Sequence, residues 1–304
     1  MLQGRLVSHV KRPPKEAFVF RKVLVPLDCS ELSESALVPL HRLLAKAEGA
    51  RATLLHVLPE GLSGDERRRA QEAASAELAK VRERLADWPL ECDTTTVEGD
   101  PAGAILDAVD QLHPDLLAMA THGRSGLQRL VRGSVAERVL RHAKVPLLLV
   151  NPHDLEDESA SFQKLLVPLD GSPLADQVLP FAIAIAQAFG ASVTLARIES
   201  IEPYVSDPLA GVPLIKPRVW DVAAVTETLE PQLKRLQDAG IEARIEARIG
   251  EAAHEIVSLA EEHDLVALSS HGRTGASRWW FGSVAEQVVR PCRRPLLLLR
   301  GKSE

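Results

Sequence analysis

Apolar and polar positions along this chain keep two alternating rhythms. Short runs of strand character stand at 22–27 (KVLVPL), 52–57 (ATLLHV), 115–120 (DLLAMA) and 145–150 (VPLLLV). Between the first two, apolar residues are spaced by three and four at Leu37, Leu40, Leu44 and Ala47, which predicts a helix over 30–48 stopped by Gly49. A charged helix follows at about 65–87, a more polar strand at about 90–97, and further helices at 102–112 and 134–143. Strands alternating with helices predict a mainly parallel sheet covered on both faces. The first and fourth strand runs are nearly all apolar, as central parallel strands are.

The pattern is then repeated. KVLVPLDCS (22–30) returns as KLLVPLDGS (164–172), ATLLHV as VTLARI (193–198), and VPLLLV as RPLLLL (294–299). DLLAMATHGRSG (115–126) returns as DLVALSSHGRTG (264–275). A period of about 140 residues is far longer than a solenoid unit and means a duplicated domain. The expected division is 1–150, an acidic linker at 151–161 (NPHDLEDESAS), and 162–304. The apolar helix at 178–189 is too short to span a bilayer and reads as buried. The halves differ most at 199–220, which carries four prolines. That segment is either a solvent loop or a lid, since loops after strands lie at the ligand end of such sheets.

Composition narrows the classes. The chain has 304 residues, 45% of them apolar and only 4% aromatic, so each half can bury a core built mainly from Leu, Val, Ile and Ala. A net charge of −6 argues against a nucleic-acid surface. Cys29, Cys92 and Cys292 form no CxxC pair, which leaves neither a zinc site nor a disulfide framework and fits a reducing cytoplasm. The first 20 residues have no continuous apolar stretch, so neither a signal peptide nor a membrane association is expected.

The chemistry-bearing motif is THGRSGLQRLVRGSVAE (121–137), matched by SHGRTGASRWWFGSVAE (270–286). Ser134 with Glu137, and Ser283 with Glu286, have the capping-box spacing that starts a helix. Upstream stand Gly123, Gly126 and Gly133, and in the second half Gly272, Gly275 and Gly282. Strand, glycine loop and capped helix together describe a phosphate cradle, because small residues let backbone N–H groups converge on an anion. A well-capped helix without ligand reads the same way. The loop is not a Walker motif, for it lacks the GK[ST] ending.

Here the chain resembles the universal stress proteins in their tandem two-domain form. Nucleotide-binding members carry Gly-x2-Gly-x9-Gly-Ser/Thr after the fourth strand. Gly123 with Gly133-Ser134, and Gly272 with Gly282-Ser283, match its last two elements, while Ala120 and Ser269 hold the place of its first glycine. The resemblance implies an α/β, Rossmann-like fold in each half, a five-stranded parallel sheet of order 3-2-1-4-5. Strands 1 and 4 are then neighbours whose connections leave in opposite directions, opening a crevice at their C-terminal ends. Asp28 and Asp170, which end the first strand of each half, would accept hydrogen bonds there from ribose or adenine. They also suit a turn-initiating role. The base would lie against Pro26, Leu27, Val57 and Met119, and in the second half against Pro168, Leu169, Ile198 and Leu268. Val135 and Val284 follow the cradle serines. His122 and His271 stand without a partnering Cys or carboxylate motif and shape the loop. Arg124 and Arg273 either approach phosphates or are solvated. Trp279 and Trp280 read as packing.

The resemblance thus implies a stress-response regulatory protein that binds ATP, AMP or ADP, with Mg2+ accompanying the phosphates. No dedicated hydrolytic apparatus is evident, so any enzymatic activity would be a slow ATPase. The alternative is a nucleotide-free interaction module of the same fold, suggested by Ala120 and Ser269. An adenylate-forming enzyme is disfavoured because HxGH and SGGxDS are absent. The resemblance also places the last strands, 145–150 and 294–299, at sheet edges, where an uncovered apolar strand invites pairing. They are expected to meet within one chain, with a homodimer as a further step.

Overall fold

Residues Val23, Leu24 and Val25 are wholly buried in the strand β1 (Lys22–Pro26), which lies near the middle of its half of the sheet. The structure, a computed structural model, describes residues 20–121, 134–152, 161–199, 222–271 and 282–301. Parallel to β1 run β2 (Ala50–Leu58) on one side and β4 (Leu116–Ala120) on the other. β3 (Leu90–Glu98) lies beyond β2, and β5 (Leu147–Val150) beyond β4. The second half repeats the plan with β6 (Lys164–Pro168), β7 (Ser192–Glu199), β8 (Ala243–Ile249), β9 (Leu265–His271) and β10 (Leu296–Gly301). The full order is β3-β2-β1-β4-β5-β10-β9-β6-β7-β8, so each half has the order 3-2-1-4-5 of a Rossmann-like fold.

Side chains alternate between two cores, as strand geometry requires. Val23 and Val25 join a core with α2 (Leu37–Leu44) and α3 (Gly64–Arg84), whereas Leu24 joins one with α4 (Pro101–Leu112) and α5 (Ser134–His142). In the second half Leu165 and Val167 face α6 (Leu179–Phe189) and α8 (Glu230–Asp238). Leu166 faces α9 (Ala252–Ala260) and α10 (Ser283–Val289). α7 (Val222–Glu227) precedes α8.

Both cores run through the centre of the sheet. β5 and β10 pair antiparallel with Leu296 opposite Leu149, Leu297 opposite Leu148 and Leu298 opposite Leu147. Phe20, just before β1, stacks on Phe181 of α6 with ring centroids 5.8 Å apart. A polar device is also duplicated. Asp115 accepts from the backbone N–H groups of Arg21 and Lys22, and Asp264 from those of Gln163 and Lys164. Each carboxylate thereby ties the start of one central strand to the start of its neighbour.

Three expectations are corrected. The helix over 30–48 is broken into α1 (Glu31–Glu34) and α2. Pro39 has no N–H with which to reach the carbonyl of Ser35, so the two turns cannot be continuous there. The 178–189 stretch begins one residue later as α6, preceded by a short 3-10 turn at Ala175–Val178. It buries one face, through Leu179, Ala182, Ile185 and Ala186, rather than its whole circumference. Finally, Gly282, not Ser283, is the N-cap of α10, and no side chain caps this helix. The proline-rich segment from 200, the linker at 153–160, and Trp279 and Trp280 lie outside the described residues.

Candidate functional site

Chain direction reverses immediately after β1 and after β6, and both halves do it with the same side chains. Asp28 Oδ1 accepts from the Ser30 N–H at 3.0 Å and from its hydroxyl at 2.5 Å, and Ser30 Oγ accepts in turn from the Ser33 N–H at 3.2 Å. In the second half Asp170 Oδ1 accepts from the Ser172 N–H at 2.9 Å, and Ser172 Oγ from the Ala175 N–H at 3.1 Å. The turn-initiating role of the two aspartates is therefore real, and it engages Oδ1 in both. The residue between Asp and Ser takes a left-handed backbone. In the second half it is Gly171, at φ 78°, which glycine adopts without steric cost, and in the first it is Cys29, at φ 59°.

Beside Asp170 lies a cleft of about 570 Å³. One wall is the end of β6 (Pro168, Leu169) with Ala196 and Ile198 of β7, and another is Leu268, Ser269 and Ser270 at the end of β9. Ala252 and Ile256 of α9 close the floor, and the rim is Gly282, Ser283, Val284, Ala285 and Glu286 at the start of α10. This is the crevice between the two strands whose connections diverge, the place where open α/β sheets take ligands. Its polar groups are few: the Asp170 carboxylate, the serine hydroxyls, the Glu286 carboxylate and the backbone of the α10 entrance. The bonding of α10 starts with the Glu286 N–H to the Gly282 carbonyl at 3.0 Å, and amides ahead of that point have no acceptor within the helix. Gly282 has φ −61° and ψ 136°, which any residue adopts, so its missing side chain provides space at the rim rather than torsional freedom.

Nine of the residues expected in the second half line this one cleft: Pro168, Leu169, Asp170, Ile198, Leu268, Ser269, Gly282, Ser283 and Val284. Val284 is 38% exposed, unusual for a large apolar side chain in this chain, and it sits on the cleft lip. Gly272 and Arg273 lie outside the described residues, and only the backbone of His271 is described, at the end of β9. In the first half Leu27, Met119 and Ala120 are buried, Pro26, Asp28, Val57 and Val135 are half-buried, and Ser134 is exposed as the first residue of α5. Val57 and Val135 pack on the core that holds Leu55 and Met119, so both belong to one neighbourhood. His122, Gly123, Arg124 and Gly133 lie outside the described residues.

Ser269, where the resemblance has a glycine, has a buried hydroxyl with no hydrogen-bond partner among the described residues. A Cβ placed on Gly301 of the neighbouring strand would stand 3.0 Å from that hydroxyl and 2.5 Å from Leu174 Cγ. Gly301 thus makes room first for Leu174 and also for the hydroxyl at 269. Sequence reasoning missed Ala252 and Ile256, which supply the floor. Their four-residue spacing on an apolar helix face was the available signal, but that spacing marks any packed helix. Among the described residues no group of three or more His, Cys, Asp or Glu is placed to hold a metal ion, and no helix is long and apolar enough to cross a membrane.

Fold and cleft together define a duplicated Rossmann-like protein with an apolar crevice at its strand ends. A family model described as the universal stress protein family matches residues 20–151 and again 161–300. A universal stress protein of Methanocaldococcus jannaschii is 32% identical over 146 residues, 43% of this chain and 82% of that protein. One from Mycobacterium tuberculosis is 23% identical over 215 residues, 71% of each chain. The crystal structure of a universal stress protein from Archaeoglobus fulgidus superposes with a TM-score of 0.72 at 21% identity, covering 93% of this chain and 99% of that one. The chain belongs to the universal stress protein family, and carries its domain twice.

Proposed function

We propose that this protein binds adenine nucleotide in the cleft of its second half, and in the equivalent place of its first, as a regulatory element of a stress response. The observation that carries the reading is the cleft beside Asp170. Its volume of about 570 Å³ falls within the range of small-molecule sites, and its apolar walls with few polar groups match their usual character. Pro168, Leu169, Ile198 and Leu268 offer flat apolar contact for a base. Asp170, on the cleft wall, would accept from ribose hydroxyls, and the space at Gly282 and Ser283 would take phosphate. Mg2+ would enter on those phosphates, as it does where few protein ligands are available. ATP is the first candidate, with ADP and AMP sharing the base and ribose contacts. The domains run 1–150 and 162–304 and are held together in solution by the β5–β10 ladder, and the protein works in the cytoplasm.

A nucleotide-free interaction module is the second reading, favoured by Ser269 where a glycine would allow closer approach. Equilibrium dialysis of the full chain against labelled ATP, ADP and AMP separates the two. Saturable uptake supports binding. No uptake at about 1 mM ligand, a level that still detects weak association, leaves only the second reading.

A further inference from the structure

Among the described residues that line the cleft beside Asp170, none is a cation, while Asp170 and Glu286 each bring a carboxylate. A polyphosphate entering there meets two negative charges, which oppose it unless a positive charge stands close. The sheet supplies one from the next strand. Arg300 of β10 is in register with Ser270 of β9, and Ser270 is part of the cleft wall. Neighbouring strands are about 4.8 Å apart, less than an extended arginine side chain spans. Strand alternation puts Arg300 on the face of Leu296 and Leu298, the same face that carries Leu268 of the cleft. Arg197 also stands near Gly171, but on the opposite face of β7 from the cleft residue Ile198.

Arg300 and Ser270 also line a narrow crevice at the seam between the halves, and Arg141, in the last turn of α5, lines it from the first half. The crevice measures about 10 Å³, at most a water's room, so a phosphate would meet Arg300 from the cleft and not from the seam. Ser269, next to Ser270 on the cleft wall, has a buried hydroxyl with no partner among the described residues, so this end of the cleft has hydrogen-bonding capacity to spare. The matching positions of the first half are Thr121 and Asn151, neither of them charged.

We infer that Arg300 is a specificity-determining residue of the second cleft, one that reads phosphate; this rests on the proposal that the cleft takes adenine nucleotide. Its guanidinium is always charged and presents a fork of N–H donors suited to phosphate oxygens, and it offsets Asp170 and Glu286. Base and ribose lie against the apolar wall and Asp170, so Arg300 sets the preference among phosphorylated ligands and leaves adenosine itself unaffected. The second cleft therefore ranks ATP above AMP and AMP above adenosine. The first half, with Asn151 in the matching place, separates the three less.

The test is calorimetry of the full chain with ATP, AMP and adenosine. In the native chain one site is expected to hold ATP at least about tenfold more tightly than adenosine, and to lose that margin as salt rises. Arg300→Gln keeps most of the stem and removes the charge. It should weaken ATP at that site about tenfold and leave adenosine within about twofold, the loss of one hydrogen-bonded charge. Arg300→Lys, which keeps the charge without the fork, should fall between the two. An unchanged ratio of ATP to adenosine affinity in Arg300→Gln overturns the inference and leaves the nucleotide reading standing. Binding of none of the three ligands ends both. Should Arg300→Gln lose adenosine as well, the native chain decides: an ATP affinity that does not weaken as salt rises overturns the inference.

Discussion

Nε2 of His263, just before β9, lies 3.0 Å from Thr194 Oγ1 of β7, and both residues are buried. Nδ1 of the same ring is 2.7 Å from the Leu259 carbonyl and must donate to it, so Nε2 is unprotonated and accepts from the threonine. Burial holds this imidazole below its ordinary value of 6.5, and the nearby positive charges of Arg244 and Lys164 push the same way, against Glu262 and the Leu259 bond. A histidine whose folded value is depressed binds its proton more readily unfolded. Stability is therefore expected to fall as pH drops through 6.5 toward the folded value, and to be flat above it. Urea unfolding of His263→Gln should show a shallower loss between pH 7 and 5, with about 1–3 kcal/mol lower stability at pH 7 from the disrupted buried bonds. An undiminished slope would show that other groups carry the acid sensitivity.

Leu148 and Leu297 face one another across the β5–β10 ladder, and both are fully buried. They belong to one of the two cores that run through both halves. Leu148→Ala and Leu297→Ala are each expected to cost about 2–5 kcal/mol in urea or guanidinium unfolding. Because the two side chains share one environment, the double variant should depart from additivity by more than about 0.5 kcal/mol. Simple additivity would mean that the pair do not touch in solution, and that the strands are apart.

The duplicated aspartates make a matched pair of tests. Asp115→Ala removes the acceptor for the Arg21 and Lys22 amides, and Asp264→Ala that for Gln163 and Lys164. Charge-assisted bonds of this kind contribute more than neutral ones, but both sites are exposed, so about 1–2 kcal/mol each is expected from denaturant midpoints. The sites lie in separate halves and share no partner, so their effects should add. Asparagine, which keeps one acceptor, should recover part of each loss.

The strands were legible because parallel strands buried on both faces leave runs such as LLAMA, which β4 buries at every position. The order of the strands was not legible from those runs. It came with the resemblance, since alternation alone does not say which strands are neighbours. The break between α1 and α2 was written in Pro39, but its apolar spacing on either side is unbroken, and spacing outweighed it. Asp170 and Ser172 were readable as a turn from their types alone. The floor of the cleft was not, because Ala252 and Ile256 acquire meaning only when α9 is laid against β7 and β9. The place of Arg300 beside Ser270 was equally hidden. The two are far apart in the chain, and only the pairing of β9 with β10 brings them together.

The cleft residues give a test in which binding and folding are read separately. Asp170→Ala and Gly282→Val change one polar group and one patch of rim. Gly282→Val should not disturb the fold, since the backbone at Gly282 is one that valine adopts, whereas Asp170→Ala also removes the turn bond from the Ser172 N–H and should lower stability modestly. Each is expected to weaken adenine-nucleotide affinity about tenfold or more, which corresponds to about 1.4 kcal/mol. The unliganded melting temperature of Gly282→Val should move little and that of Asp170→Ala should fall somewhat, while in both the rise produced by saturating ATP should shrink. At about a hundredfold excess over Kd that rise represents about 2.7 kcal/mol in the native chain. Calorimetric stoichiometry then reports on the halves. If both bind, Gly282→Val lowers two sites to one, and Asp28→Ala weakens the other without touching the cleft beside Asp170. Native affinity in Gly282→Val with one site per chain would place the nucleotide in the first half alone. Full affinity and two sites in every variant would mean that neither aspartate nor rim contacts the ligand.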